Sequence, residues 1–213
     1  MADATDPPIL ALIVDYGGVL VRRPSAPATV TEIAGELGLA PADLLDGVYG
    51  PGRSRWRQAR TGALPEAMLW DAAGRDLRLA PEQVDRVRRK LFDEVQVHSG
   101  LVATLWGLRP RVRLALVSNA LPSFTDTWRR LGFLDLFHVT LNSSAVGLAK
   151  PAPGIFHAAL GHLGVAPGAC LCIDDQPENL DAAAALGMQT VRFDDAEQAV
   201  TAIRAITARP AEA

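Results

Sequence analysis

The feature that most constrains this chain is a short apolar run, Leu10-Ala11-Leu12-Ile13-Val14, that ends on Asp15 and passes at once into Tyr16, Gly17 and Gly18. An apolar stretch this short, without polar alternation and bounded by an acid and two glycines, reads as a strand covered on both faces. That is the environment of a parallel sheet enclosed by helices. In open sheets of this kind ligands collect at the carboxyl ends of the strands, which is where Asp15 falls. The glycine pair lets the backbone turn sharply and leaves room for a ligand to approach. Taken alone, Asp15 serves equally well as the cap of a strand-to-helix turn.

Beyond Leu20 the texture changes. After a loop through Pro24 and Pro27, the stretch from Ala28 to about Val97 shows helical periodicity broken by turn signals and no convincing strand. Helices are expected over Thr29–Leu37, Pro41–Val48, Arg53–Arg60, Pro65–Leu77 and Pro81–Val95, the last with Val84, Val87, Leu91 and Val95 on one stripe. From Ser99 helix and strand alternate: helix Leu101–Leu108, strand Val112–Val117, helix Pro122–Leu131, strand Val139–Asn142, helix Gly154–Leu163. Strand Cys170–Ile173, helix Pro177–Leu186, strand Gln189–Phe193 and an amphipathic helix over Ala196–Ala208 complete the series. Alternating units of this kind predict an α/β fold with a doubly wound parallel sheet. Residues 1–21 and 98–213 would form that core, and residues 22–97 would be a helical insert.

Composition narrows the function. A formal net charge of −3 argues against a general nucleic-acid binder. No apolar run approaches the roughly 20 residues of a membrane span, and the acidic opening Met1–Asp6 lacks the positive start of a secretory signal. Cys170 and Cys172 alternate on one predicted strand, a spacing that would strain a disulfide, and with no further Cys or His nearby they make a poor zinc site. Both are expected to be small buried hydrophobes of a cytoplasmic protein.

Polar residues gather at the strand ends: Asp15, Ser118-Asn119 and Asp174-Asp175, with Lys150 leading a neighbouring helix. Each has a plain structural reading. Ser118 and the acidic pair suit helix caps, and Lys150 suits a solvated surface. Together they place one hydroxyl, one ammonium and three carboxylates at a single sheet edge. On the insert, Arg53, Arg55, Arg57 and Arg60 surround Trp56. This is either an electropositive, stacking surface for a phosphorylated substrate or a solvated basic face with Trp56 in the insert's core. Arg22 and Arg23 are further candidates for substrate contact. His98, His138, His157 and His162 show no ligand spacing, and Trp70, Trp106 and Trp128 read as packing residues.

The order Asp15-x-x-Gly18-Val19-Leu20, Val117-Ser118-Asn119, Lys150-Pro151 and Ile173-Asp174-Asp175-x-x-Glu178-Asn179 resembles the haloacid dehalogenase (HAD) superfamily over nearly the whole chain. The run from Ile173 to Ala183, with Leu186-Gly187-Met188 after it, is the most specific part. Within the superfamily the chain looks most like the bacterial sugar-phosphatase and epoxide-hydrolase N-domain branch. The resemblance implies a Rossmann-like core with the insert as a helical cap over the site. It also implies a phosphatase of a small phosphorylated metabolite such as a sugar phosphate. Asp15 would be the nucleophile forming an aspartyl-phosphate. Mg²⁺ would be held by Asp15, the Gly17 carbonyl and Asp174, with Asp175 holding a metal-bound water or tuning its neighbours. Lys150 would neutralise Asp15 and the transferring oxygens, and Ser118 and the Asn119 backbone N–H would bind phosphoryl oxygens. Gly18, Arg22 and Trp56 are the candidates for substrate contact. One position departs from the family pattern: Gly17 stands where most of its phosphatases carry a second Asp that protonates the leaving group. The alternative is therefore a catalytically weak relative kept for binding or regulation. Haloacid dehalogenation ranks lower, because a metal-free site would have no use for Asp174-Asp175 beside Asp15.

Overall fold

The computed structural model describes residues 8–22 and 27–207. Five parallel strands, β1 (Ala11–Val14), β2 (Arg113–Ser118), β3 (Val139–Asn142), β4 (Cys170–Asp174) and β5 (Gln189–Arg192), form one sheet in the order β3-β2-β1-β4-β5. The chain winds outward from β1 through β2 to β3 and then restarts on the other side at β4. The winding reverses between β1 and β4, and a crevice at the carboxyl ends of the strands is expected there. Val14 pairs with Leu116 on one side and Ile173 on the other. Asp15 and Asp174 therefore leave adjacent strands at the same level.

Strand parity divides the interior. Leu12, Val14, Leu114, Leu116, Leu171 and Ile173 face the helices α6 (Ser99–Leu108), α7 (Phe124–Arg130), α8 (Phe133–Leu136) and α12 (Ala196–Thr207). The alternate residues Ala11, Ile13, Ala115, Val117, Cys170 and Cys172 face α10 (Pro153–Leu163) and α11 (Pro177–Ala185). Each fully buried branched side chain contributes about 1.5–3 kcal/mol, so the six large residues of the first set anchor the sheet to its thicker helical layer. Both cysteines are free and buried, and burial pushes their thiols up, that of Cys170 to about 12. They are inert packing groups.

Between β1 and α6 the chain forms α1 (Pro27–Leu37), α2 (Pro41–Tyr49), α3 (Ser54–Ala59), α4 (Glu66–Leu77) and α5 (Pro81–Arg88), the last running into a π-helical turn over Arg89–Asp93. These helices stand over the carboxyl edge of the sheet as a cap. Val21 and Val97 pair antiparallel where the chain leaves and returns. The cap's apolar interior is continuous with the thicker core layer. Aromatic rings carry the junction: Phe92 of the cap lies 5.3 Å from Phe124, which lies 5.7 Å from Tyr16.

Several sequence expectations shift. The expected helix over Arg53–Arg60 shortens to Ser54–Ala59, since Gly52 and Arg53 adopt left-handed backbone at φ 55° and 58°. The expected Pro81–Val95 helix widens to the π turn after Arg88, yet Val87 and Leu91 stay buried. Strand β2 runs one residue further, to Ser118, and β4 to Asp174. Trp106, expected to pack, is 45% exposed with the Arg109 guanidinium over its ring. The expected end of the last helix at Ala208 and the candidate Arg23 lie outside the described residues.

Candidate active site

Three strand ends and one helix approach converge beneath the cap. Asp15 follows β1 and is fixed by its backbone N–H donating to the Ile173 carbonyl at 3.0 Å. Lys150 is 2% exposed, and its Nζ reaches both Asp15 Oδ1 (2.8 Å) and Asp174 Oδ2 (2.6 Å). Its position is set from the neighbouring strand end. Asn119 Nδ2 donates to the Lys150 carbonyl and Asn119 Oδ1 accepts the Lys150 N–H, both at 2.8 Å. The other oxygen of Asp174 accepts the Gln176 N–H and Asn179 Nδ2, each at 2.9 Å. Asp174 is thereby locked in orientation from the first turn of α11. The side chain of Asn179 has no assigned role in the sequence reading. Its spacing, five residues beyond a strand-end Asp and on the inner face of the following helix, is the signal that could have found it.

Asp15, Asp174 and Asp175 place carboxylate oxygens within 4.8 Å of one another. Burial pushes the Asp15 carboxyl up to about 7 from an ordinary 3.8; Lys150 opposes that shift, while Asp174 and Asp175 add to it. Burial opposes the charge on Lys150, but the two carboxylates outweigh it and hold the ammonium above its usual value. Three carboxyl groups thus share one ammonium in a largely desolvated crevice. The donor set is all hard oxygen, the kind a small divalent cation prefers. These residues fit such an ion, and Gly17 lines the same crevice.

Above the acids opens a cleft of about 280 Å³. Asp15, Gly17, Ser118, Asn119, Lys150 and Asp175 line its floor, and Trp56, Tyr49 and Phe92 line its cap side together with Arg53 and Arg60. Trp56 stacks on Phe92, with ring centroids 5.7 Å apart and planes 6° from parallel, so it forms a fixed wall. Gly18 and Arg22 do not line the cleft. Gly18 lies against the Asp175 carboxylate. Arg22 is exposed at the base of the cap, where its N–H donates to the Gln96 carbonyl at 2.8 Å. Arg53 and Arg60 come from the basic cluster around Trp56 that the sequence offers, whereas Tyr49 and Phe92 join the site only through tertiary packing and carry no sequence motif. Among the histidines, His138 Nδ1 accepts the Leu114 N–H at 3.0 Å, a structural bond.

Comparison with known proteins follows the same lines. The family described as haloacid dehalogenase-like hydrolase matches residues 9–187. A haloacid dehalogenase-like hydrolase domain-containing protein 3 from Bos taurus is 38% identical over 97 residues, 45% of this chain and 39% of that protein. A flavin mononucleotide hydrolase from Arabidopsis thaliana is 40% identical over 58 residues, 27% of this chain and 24% of the relative. These matches thus span less than half of the curated relatives' own length. Among solved structures, a HAD-like hydrolase from Porphyromonas gingivalis superposes with a TM-score of 0.76 at 23% identity, covering 95% of this chain and 99% of the other. A HAD family enzyme from Bacteroides thetaiotaomicron, in complex with magnesium and inorganic phosphate, gives 0.72 at 22% identity over 88% and 96%. At such identities the structural likeness speaks for the fold.

Proposed function

The chain belongs to the haloacid dehalogenase-like hydrolase family, and from that premise we propose that it is a Mg²⁺-dependent phosphatase acting on a small phosphomonoester through Asp15. The observation that supports this most is the Lys150 ammonium bridging Asp15 and Asp174 within 2.8 Å, at the floor of a cleft where Asp175 completes an acidic triad. A carboxylate and a phosphate dianion repel, so in-line attack needs fixed positive charge on both partners. Lys150 supplies one such charge and holds Asp15 in place. Mg²⁺ held by Asp15, Asp174 and the Gly17 carbonyl, with Asp175 beside them, would supply the rest as electrostatic stabilisation of the transferring group. The Ser118 hydroxyl and the Asn119 backbone N–H would orient phosphoryl oxygens, while the Asn119 side chain keeps Lys150 on station. Asp15 Oδ then attacks phosphorus, the ester oxygen leaves, and water attacks phosphorus in the resulting aspartyl-phosphate to release phosphate and restore the carboxylate.

Gly17 favours a second reading. With no side chain there, the site lacks the usual proton donor, a group worth about 10²–10⁴-fold. Turnover should then favour acidic leaving groups such as a sugar 1-phosphate, and the limiting case is a weakly active binding or regulatory protein. No helix among the described residues is long and apolar enough to cross a membrane, which suits a small-metabolite enzyme of the cytoplasm. The test is hydrolysis of p-nitrophenyl phosphate and a sugar-phosphate panel with Mg²⁺. The phosphatase reading predicts turnover that disappears with chelator and in Asp15→Asn. Silence across the panel with Mg²⁺ still bound selects the second reading. Gly17→Asp should raise turnover of poor leaving groups, by about 10-fold or more on the scale of general-acid catalysis.

A further inference from the structure

Four arginines stand close together on the cap, and the fold sorts them into two kinds. Arg55 is tied down by the Gly47 carbonyl at 2.8 Å and by Asp76, and Arg57 donates to the Gly52 carbonyl at 2.6 Å. Neither lines the cleft, whereas Arg53 and Arg60 do. The left-handed turn at Arg53 (φ 58°) carries its guanidinium 5.3 Å over the Tyr49 ring at the cleft wall. Arg60 is half-buried, and its Nε is shut off from solvent without any hydrogen-bond acceptor. No carboxylate among the described residues lies within ion-pair distance of it. Burial, helped by Arg57, pushes its guanidinium below the usual value. Buried donors are nearly always satisfied, and leaving a cationic one unpaired is costly. An anion in the cleft that Arg60 lines would give its guanidinium the counter-charge that no carboxylate among the described residues supplies.

The placement of Arg60 is also registered to the reaction floor. Its backbone carbonyl accepts the Ser143 hydroxyl, and Ser143 Oγ accepts the Ala120 N–H at 3.0 Å, one residue beyond Ser118-Asn119. The cleft thus has cationic groups at two places, Lys150 on the floor and Arg60 with Arg53 on the cap side, and aromatic rings between them. Building on the phosphatase reading, we propose that the substrate is a phosphomonoester carrying a second anionic group, a carboxylate or another phosphate, which Arg60 binds with Arg53 alongside. A planar guanidinium matches either anion in a forked geometry.

Binding without turnover tests this. In Mg²⁺, calorimetric titration compares phosphonoacetate, phosphonopropionate and phosphonobutyrate, each with the alkylphosphonate of the same chain length. Alkylene bisphosphonates of those lengths form the second arm. At least one two-anion ligand should bind about tenfold or more tightly than its single-anion match, the scale of one charge-assisted hydrogen bond. The arm that shows the larger ratio identifies carboxylate or phosphate. Arg60→Gln should bring the ratio within about twofold, Arg60→Lys should keep part of it, and Arg57→Gln should keep it whole. Equal affinities at every length in the unaltered protein overturn the proposal, as does a ratio that survives Arg60→Gln. If Arg60→Gln does not fold, the unaltered protein and Arg60→Lys still decide. A protein that discriminates the ligands but hydrolyses no phosphomonoester refutes the phosphatase reading alone, and one that hydrolyses them without discriminating refutes only the second-anion site.

Discussion

Gly18 adopts φ +100°, and a Cβ built there would stand 2.1 Å from Asp175 Oδ2 and 2.7 Å from its Cγ. An L side chain is therefore strained by the backbone and also collides with one member of the acidic triad. Gly18→Ala should displace Asp175 and weaken Mg²⁺ binding by about 10–100-fold, the usual cost of disturbing groups around a metal; Mg²⁺-dependent thermal stabilisation would read it, and unchanged binding would contradict the assignment. Lys150 is the converse case, a buried cation whose removal leaves two carboxylates facing each other. Lys150→Met in chelator should lose about 3–5 kcal/mol of stability in denaturant unfolding at pH 8, as when one partner of a buried pair is deleted. The acids, Lys150 and Ser118-Asn119 were legible in the sequence because strand ends and turn glycines have local signatures. The contribution of Gly18 was not, since it acts on Asp175, which the register between β1 and β4 brings to it.

At the scale of elements, the cap and core are joined by a specific contact at the start of α4. Glu66 Oε2 accepts the Ser123 N–H at 3.0 Å and Glu66 Oε1 accepts the Ser123 hydroxyl at 2.7 Å, while Trp70 Nε1 donates to Oε1 at 3.1 Å. Ser123 lies in the loop that carries Ser118-Asn119 towards α7. Glu66→Ala should increase amide exchange in the first turns of α4 and in that loop, with the sheet unaffected. Uniform exchange across the chain would show that this contact joins nothing. The element order and the change from helical insert to alternating helix and strand followed from hydrophobic period, which is a local property. The π turn at Arg89–Asp93 and the break before Ser54 did not. Phe92 in the π turn stacks on Trp56, just after the break, and meets Phe124, contacts between distant segments that no single window of sequence contains.

For the whole molecule, the site is a concentration of like charge that the rest of the fold must hold together. The Asp15 carboxyl, raised to about 7 from an ordinary 3.8, binds its proton more tightly folded than unfolded. Its contribution to stability is therefore complete below the unfolded value and is lost as pH rises through about 7. His98 and His138, both lowered first by burial, act in the opposite sense as pH falls. The difference between the unaltered protein and Asp15→Asn isolates the carboxyl. In chelator, the unaltered protein should lose stability relative to Asp15→Asn between pH 5 and pH 8, and Mg²⁺ should cancel that loss by taking the proton's place; a flat difference would contradict it. The reversal of winding between β1 and β4 explains why this charge gathers at one point, since it opens a crevice where two strand ends carry acids side by side. The central claim is that Asp15 takes the phosphoryl group, and acid-quenched turnover of p-nitrophenyl phosphate followed by mass spectrometry tests it most directly. One phosphoryl group is expected on the peptide containing Asp15 in the unaltered protein and none in Asp15→Asn; steady turnover with the phosphoryl group on another residue, or undiminished turnover by Asp15→Asn, would contradict it.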